Sequence, residues 1–405
     1  MRHKILLIGF GMQGRAALFD LVRWGGASGI VVADSRPELP AELSAYSSDR
    51  VRGVILDALD EASLGALMGE ADVVIEALPG SFALPLGRLA VAHGVSLVSS
   101  MYYLSPGEED PARIQAARDE IRTIDLEARA KGITILTEFG LDPGLDLVLG
   151  ARAVGEMDEV REFRTYGAGL PAPTVPPNPL RYKFSWSVVG VMRSYRRPAR
   201  IIANGQAMKI DAARVFEAEN CHRLDVPEIG GPLECFPNGD AVHYAELFGI
   251  RSSLRESGRY TCRCPGHCAF WDVMVKSGFL DDRVVRVAGA SVSPLEFTGA
   301  LLGSQDQFRY LDGEQDMTFV RVEAGGIRHG RKTRVLYQLI DRRDLKTGLT
   351  SMQRTVGFTL SLGARLILEG KLRAGLLTPL DVPYDLVFPA LERHDIRVTR
   401  TELPG

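Results

Sequence analysis

The first 34 residues constrain the fold more than any other part of the sequence. The apolar run at residues 4–8 predicts a buried strand, and the pattern Gly-Phe-Gly-Met-Gln-Gly follows at once at residues 9–14. A helical pattern then reaches Trp24, and a second apolar run at residues 29–33 ends at Asp34. Three glycines between a strand and a helix, with an acid 20 residues after the last of them, are typical of a dinucleotide-binding unit.

Each glycine of this pattern has its own physical role. Gly9 allows a tight turn after the strand, Gly11 lets the backbone approach a pyrophosphate, and Gly14 lets helix and strand pack closely. The backbone amides of Met12 and Gln13 then face the phosphates at the positive end of the helix dipole. We therefore predict a dinucleotide site here, the alternative being an ordinary glycine turn.

Two acids and one arginine bear on which dinucleotide binds. Asp34 is expected to accept hydrogen bonds from the adenosine ribose and to repel a 2′-phosphate, which favours NAD. Arg36 can bind that phosphate or stack on adenine, so NADP is possible. Asp57 follows a predicted strand at residues 51–56, and it either reaches the adenine amino group or caps a helix that begins near Glu61.

Further strands and helices alternate in the first third of the chain, which predicts a doubly wound parallel sheet of the Rossmann type. The predicted strand at residues 72–77 ends at Ala77 and runs into Leu78 and Pro79, and that at residues 95–99 continues to Tyr102. Ligands of such sheets bind at the carboxyl ends of the strands. We expect these residues to contact cofactor or substrate.

The pattern changes after about residue 158, where proline, glycine and long connections interrupt strand-like runs. We predict a second, α+β domain with a mixed or antiparallel sheet. The predicted domains are residues 1–142 (dinucleotide binding), 143–350 (substrate, catalysis and dimerisation) and 351–405, a segment that returns to the first domain. The strand-like runs lie at residues 162–166, 199–203, 317–323 and 333–340.

Composition excludes several classes of protein. The net charge of −3 and the lack of a long basic run argue against nucleic-acid binding. No apolar stretch approaches the roughly 20 residues that span a bilayer. The N-terminal residues 1–4 lead directly into the first strand, so we expect no signal peptide and a cytoplasmic location. Five cysteines, an odd number, fit reduced thiols better than disulfides.

Several separated blocks resemble the saccharopine dehydrogenase family, which includes lysine 6-dehydrogenases and glutamate-forming saccharopine reductases. Besides the glycine pattern, the blocks are residues 138–146, 169–173, 178–187, 197–200, 261–267 and 350–357. The resemblance implies a Rossmann domain, a substrate domain, a homodimer and an NAD(P)-dependent oxidoreductase that acts on the CH–NH group of an amino acid.

Within that family, residues 195–200 and 261–267 look closer to lysine dehydrogenases. We therefore expect L-lysine 6-dehydrogenase activity, which releases ammonia and 2-aminoadipate semialdehyde. A saccharopine or carboxynorspermidine-type reductase and a non-catalytic dinucleotide-binding relative are the alternatives. Saccharopine reductases carry a cysteine where Gly167 aligns and a small polar residue where Met101 stands, so the substrate stays open.

Oxidation of an amine requires a group that takes its proton before the hydride leaves. Asp142 is the first candidate; it either contacts the substrate amine or caps a helix whose first turn holds Pro143. Glu138 is the second candidate. His267 is a candidate proton shuttle because its unperturbed pKa is about 6.5, and a packed structural histidine is the alternative.

The resemblance also supplies candidate substrate contacts. Arg263 lies in a matching block and is expected to bind the substrate α-carboxylate through two parallel hydrogen bonds, the alternative being a surface ion pair. The other candidates for the pocket are Tyr166, Tyr182, Lys183 and Trp186. The cluster of three cysteines and His267 at residues 262–268 lacks the paired spacing of structural zinc sites, so we predict no metal.

Overall fold

The computed structural model describes residues 3–24, 26–46, 49–104 and 108–405. Met1 and Arg2, which enter the signal-peptide prediction, lie outside the described residues. The chain forms two compact units. Unit 1 comprises residues 1–148 and 353–395, and unit 2 comprises residues 149–352 and 396–405.

Unit 1 is built on a parallel sheet, and the strands are short and largely buried. Its first six strands lie in the spatial order 3-2-1-4-5-6, so the predicted doubly wound sheet is confirmed. The strands are β1 (His3–Ile8), β2 (Ala27–Asp34), β3 (Val51–Ile55), β4 (Val73–Glu76), β5 (Ser96–Ser99) and β6 (Thr134–Leu136). The helices are α1 (Met12–Arg23), α2 (Leu39–Leu43), α3 (Glu61–Gly69), α4 (Ala83–His93), α5 (Pro111–Lys131) and α6 (Leu145–Gly155), the last of which continues into unit 2.

Unit 2 is built on a nine-stranded sheet that is mixed, because β12 and β7 run parallel while the other pairs are antiparallel. The predicted α+β domain is therefore confirmed. Its strands are β7 (Glu159–Pro171), β8 (Ala199–Ala203), β9 (Gln206–Ile210), β10 (His222–Val226), β11 (Gly231–Pro237), β12 (Glu256–Arg263), β13 (Val285–Val287), β14 (Ala290–Val292), β15 (Asp316–Arg328) and β16 (Arg331–Arg342), of which β13 and β14 form a separate hairpin. Its helices are α7 (Val188–Ser194), α8 (Ala241–Leu247), α9 (His267–Lys276) and α10 (Pro294–Gly303).

The C-terminal part of the chain contributes to both units. The helices α11 (Ser351–Leu368) and α12 (Tyr384–Leu391) flank β17 (Gly375–Leu377), which pairs in parallel with β6 and completes a seven-stranded sheet. The last strand, β18 (Val398–Pro404), instead pairs with β16 in unit 2. This differs from the predicted segment 351–405, which places the whole C-terminus on the first domain.

Candidate functional site

The turn between β1 and α1 has the geometry that a phosphate-binding turn requires. Gly9 has a φ of +90°, and a Cβ there would lie 2.6 Å from the Ala77 carbonyl oxygen, so only glycine fits. A Cβ on Gly14 would lie 2.0 Å from the Gly9 carbonyl oxygen. At Gly11, by contrast, an added Cβ would meet nothing within 4 Å. The backbone therefore faces open space at the one position where a diphosphate must approach.

Helix α11 supports this turn from within unit 1. A Cβ on Gly357 would lie 2.7 Å from the Gln13 carbonyl oxygen and 2.5 Å from the Ala16 Cβ, so α11 and α1 touch backbone to backbone. The amide of Gln353 also donates to the Met12 carbonyl, at 3.1 Å. Helix α11 therefore holds the first turn of α1 in place. Met12, in that turn, keeps 38% of its surface exposed.

Asp34 and Arg36 bind each other rather than standing free. The Asp34 carboxylate accepts hydrogen bonds from the Phe10 N–H at 2.6 Å and from the N–H and Nε of Arg36 at 3.0 and 2.9 Å. Burial alone would raise the pKa of Asp34, but these bonds outweigh it and the pKa lies below its usual range. The Arg36 side chain is 39% exposed and also contacts Glu42, which binds Arg15.

The alternative role of Asp57 as a helix cap is wrong. Asp60 caps α3, because its side chain accepts the Ser63 N–H. Asp57 lies exposed beyond β3 and accepts the N–H of Leu59 at 3.0 Å. Its proposed contact with adenine is left as a prediction.

The carboxyl end of β4 holds a buried acid that the sequence analysis did not single out. Glu76 is fully buried, and it accepts the Leu78 N–H at 2.7 Å and the hydroxyl of Ser99. Burial raises the pKa of Glu76 to about 7, against the opposing effect of these two donors. A charged residue inside an otherwise apolar run was the available signal. Ala77, Leu78 and Pro79 follow at the predicted edge, half-buried to exposed.

The structure places two predicted catalytic acids in the segment after β6. Asp142 and Pro143 do not start the next helix: α6 begins at Leu145, and the Gly144 carbonyl accepts the N–H groups of Leu147 and Val148. The prediction that Asp142 is the helix cap is therefore wrong. Asp142 is exposed, whereas Glu138 is half-buried and has a φ of +57°. Tyr102 is half-buried at the end of β5.

Arg263 is buried at the end of β12, so the alternative of a surface ion pair is wrong. Its guanidinium carbon lies 4.7 Å from the centre of the Tyr182 ring, and Nη1 donates to the Cys262 carbonyl at 2.9 Å. Among the described residues, the groups that act most on the Arg263 charge are tyrosines and a cysteine and not a carboxylate, and its buried Nε lacks a hydrogen-bond partner. A buried charge without a counter-ion is costly, so this guanidinium is suited to an anionic ligand.

His267 begins α9 close to Arg263 and is 4% exposed. Its Nε2 lies 3.0 Å from the Tyr195 hydroxyl, which is also bonded to Arg263. Burial first, and then the charge of Arg263, lowers the pKa of His267 well below its ordinary value. This pKa shift favours the alternative of a packed structural histidine, and the role of His267 as a proton shuttle stays a prediction.

The remaining predicted pocket residues separate into two clusters. Tyr182 packs with His267, and Trp186 is half-buried against the same cluster. Lys183 is buried and already paired, since its Nζ lies 2.7 Å from Glu314. Tyr166 belongs to another cluster on β7, where it stacks on Tyr260. The structure thus brings Arg263, His267 and Tyr182 together and leaves Tyr166 apart from them.

Two of the thiols near Arg263 lie beside other thiols. Cys262 faces Cys235 across the β11–β12 ladder, and Cys268 shares a hydrogen bond with Cys221. In the described part of the chain, no group of three or more His, Cys, Asp or Glu is arranged to hold a metal ion. No helix there is both long and apolar enough to cross a bilayer.

Comparison with known proteins covers most of the chain. Residues 5–136 match the model of the saccharopine dehydrogenase NADP binding domain, and residues 140–396 match that of the saccharopine dehydrogenase C-terminal domain. A saccharopine dehydrogenase [NADP(+), L-glutamate-forming] of Schizosaccharomyces pombe is 30% identical over 285 residues, which cover 69% of this chain and 58% of that protein. The alpha-aminoadipic semialdehyde synthase of Arabidopsis thaliana is 27% identical over 84% of this chain and 37% of its own length. The chain thus spans well under half of that protein.

Solved structures show the same fold. The saccharopine dehydrogenase (L-Glu forming) from Saccharomyces cerevisiae superimposes with a TM-score of 0.81 at 22% identity, covering 99% of this chain and all of that one. A homospermidine synthase from Legionella pneumophila gives a TM-score of 0.68 at 12% identity, covering 100% and 92% of the two chains.

Proposed function

Because this chain belongs to the saccharopine dehydrogenase family, we propose that it is an NADP-dependent oxidoreductase that acts on the CH–NH group of an amino acid. The observation that carries this proposal is Arg263, a buried guanidinium that lacks a carboxylate partner among the described residues. An amino-acid substrate supplies the missing anion. The open backbone at Gly11 supports the nucleotide part of the proposal.

The nicotinamide supplies a hydride acceptor, and the protein supplies position, charge and proton transfer. Arg263 holds the substrate α-carboxylate, and the Tyr182 face beneath it keeps the guanidinium in place. His267 orients the Tyr195 hydroxyl, which in turn orients Arg263. Glu138 and Asp142 remain the proposed acceptors of the amine proton.

The Asp34–Arg36 pair favours NADP, whereas Asp34 alone would favour NAD. Arg36 neutralises the carboxylate that would repel a 2′-phosphate, and its partly exposed guanidinium can bind that phosphate. The names of the family model and of the fission yeast relative, both of which specify NADP, support the same choice.

Two substrates are compatible with this site. Saccharopine, a secondary amine that is oxidised and hydrolysed to glutamate and a semialdehyde, is favoured by the name of the fission yeast relative. L-lysine, which would release ammonia, is favoured by the resemblance of residues 195–200 and 261–267 to lysine dehydrogenases. We retain L-lysine 6-dehydrogenase as the second candidate.

The test is a product assay with the purified protein and either NAD⁺ or NADP⁺. Saccharopine, L-lysine and carboxynorspermidine are supplied separately, and the reduced nicotinamide, glutamate and ammonia are measured. Glutamate formed in step with the reduced nicotinamide supports the first substrate, and ammonia formed from lysine supports the second. Tight nucleotide binding without turnover of any amine would instead support a non-catalytic relative.

We further propose a homodimer, as the resemblance suggests, with a cytoplasmic location and domain bounds near residues 142 and 350. Light scattering of the purified chain tests the dimer. Limited proteolysis with mass spectrometry tests the bounds, because linkers between compact units are cut first.

A further inference from the structure

We propose that Glu76 is a positioning residue that fixes the turns after β4 and β5, and through them the nicotinamide half of the bound dinucleotide. The proposal rests on the nucleotide site proposed above. Glu76 is not part of the glycine turn, and its side chain is turned away from solvent into the core of unit 1.

The geometry makes one carboxyl group the junction between two turns. Glu76 Oε1 accepts the Leu78 N–H at 2.7 Å, two residues further along its own turn. Oε2 accepts the hydroxyl of Ser99, which stands opposite Glu76 in the β4–β5 ladder. The Ser99 Oγ in turn accepts the Met101 N–H at 3.0 Å. Both turns are therefore tied to the same side chain.

The surroundings show that this carboxyl group is held by hydrogen bonds and not by a counter-ion. The neighbouring cluster is apolar and includes Val74, Leu86, Leu97 and Tyr103. Within the described residues, no Lys, Arg or His pairs with Glu76, and Tyr103 is the titratable group that senses its charge. Buried carboxyl groups without a cation are rare, which argues for a specific use.

The position of β4 in the sheet indicates which half of the dinucleotide Glu76 positions. In a doubly wound sheet each half binds one mononucleotide, and the fingerprint with its acid places adenosine on the β1–β3 half. The turns after β4 and β5 therefore belong to the nicotinamide half. Loss of the Glu76 bonds should free the Leu78 N–H and the Ser99 hydroxyl group, whose oxygen accepts the Met101 N–H, and should misplace only that half.

Burial raises the pKa of Glu76 to about 7, so the protonated form is populated near neutral pH. Glutamine reproduces this form: its carbonyl accepts the Leu78 N–H and its amide donates to Ser99. Leucine keeps the approximate volume and removes both bonds. Glu76→Gln and Glu76→Leu thus separate hydrogen bonding from packing.

The test compares the binding of NADPH with that of 2′-phospho-ADP-ribose, a fragment that lacks nicotinamide, by calorimetry on the full chain. We expect Glu76→Leu to weaken NADPH binding about 10-fold or more, as the loss of buried hydrogen bonds predicts. Its affinity for the fragment should stay within about 2-fold of the wild type, and Glu76→Gln should bind both as the wild type does. Arg36→Ala is the matched control, since it should weaken both ligands equally.

The inference is overturned if Glu76→Leu binds NADPH normally, if it loses NADPH and the fragment equally, or if Glu76→Gln loses as much as Glu76→Leu. Failure of the wild type to bind either ligand would instead reject the proposed nucleotide site itself. The two failures are therefore distinguishable.

Discussion

Arg36 donates to the Asp34 carboxylate twice, once from its backbone N–H and once from Nε. Asp34 alone would repel a 2′-phosphate. Paired with Arg36, it instead holds in place a guanidinium that attracts the phosphate. Cofactor preference should therefore depend on the arginine more than on the acid.

Replacing Arg36 by alanine should raise the Kd for NADPH about 10-fold and change that for NADH by less than about 3-fold, since only NADPH offers the phosphate that Arg36 would bind. Fluorescence titration measures both constants. Arg52→Ala, an exposed arginine on β3, is the control. Equal losses of affinity for NADPH and NADH would show that Arg36 does not bind the 2′-phosphate.

Arg263→Ala should raise the KM for the amino-acid substrate by about 10-fold to 100-fold, because a buried carboxylate loses both of its charge-assisted hydrogen bonds. Arg263→Lys keeps the charge but cannot form two parallel hydrogen bonds, so its KM should lie between those of the wild type and Arg263→Ala. Steady-state kinetics give both values. Arg161→Ala, which removes an exposed ion pair with Glu159, serves as the control. An unchanged KM in a folded Arg263→Ala protein contradicts the carboxylate clamp.

Glu76 should make folding stability depend on pH. The pKa of Glu76 is raised to about 7 in the folded protein. The stability gained from its protonation is therefore fully present below the ordinary pKa of about 4.5 and is lost as the pH rises through 7. The full effect is on the order of 3 kcal/mol. The Tm of Glu76→Gln relative to the wild type should therefore increase between pH 5 and pH 8. A constant difference would mean that Glu76 does not titrate in this range.

His267 should remain neutral from pH 6 to pH 8, because burial and Arg263 both oppose its protonation. Imidazole ¹⁵N chemical shifts of the labelled protein report the charge directly, and His267→Gln identifies the resonance. A midpoint inside this window would restore His267 as a titrating proton shuttle.

Cys221 should be the fastest thiol to react in the native protein. It is half-buried, and a hydrogen bond from Cys268 lowers its pKa, whereas Cys235 and Cys262 are buried. Reaction with a disulfide reagent, followed by absorbance, should show a fast phase that Cys221→Ser removes. Persistence of that phase in the variant would assign it to another thiol.

The sequence was sufficient for the nucleotide turn because its signals are local. Gly9 and Gly14 are required by contacts within a few residues of the pattern and by the adjoining strand, so their spacing is informative. The helix start at Leu145 was missed for the opposite reason. The Asp-Pro pair at 142 and 143 is a common start signal, but in the folded chain residues 140–144 form a turn that precedes the helix.

Contacts between residues far apart in the sequence could not be predicted in this way. Arg263 packs against the rings of Tyr182 and Tyr195, which come from distant parts of the chain. Burial first, and then the charge of Arg263, lowers the pKa of His267, and neither effect can be predicted from one local stretch of sequence. Glu76 was visible only as one acid in an apolar run. Its pairing with Ser99 follows from the register of two strands, which a single sequence does not specify.

The pairing of β17 with β6 has a consequence for synthesis of the chain. The strand that covers β6 lies about 240 residues further on, so a ribosome must complete most of the protein before that edge is closed. Until then the nascent chain carries an open row of peptide groups, on which a neighbouring nascent chain can add a strand. Premature termination before residue 375 should therefore yield aggregates rather than a free nucleotide-binding fragment.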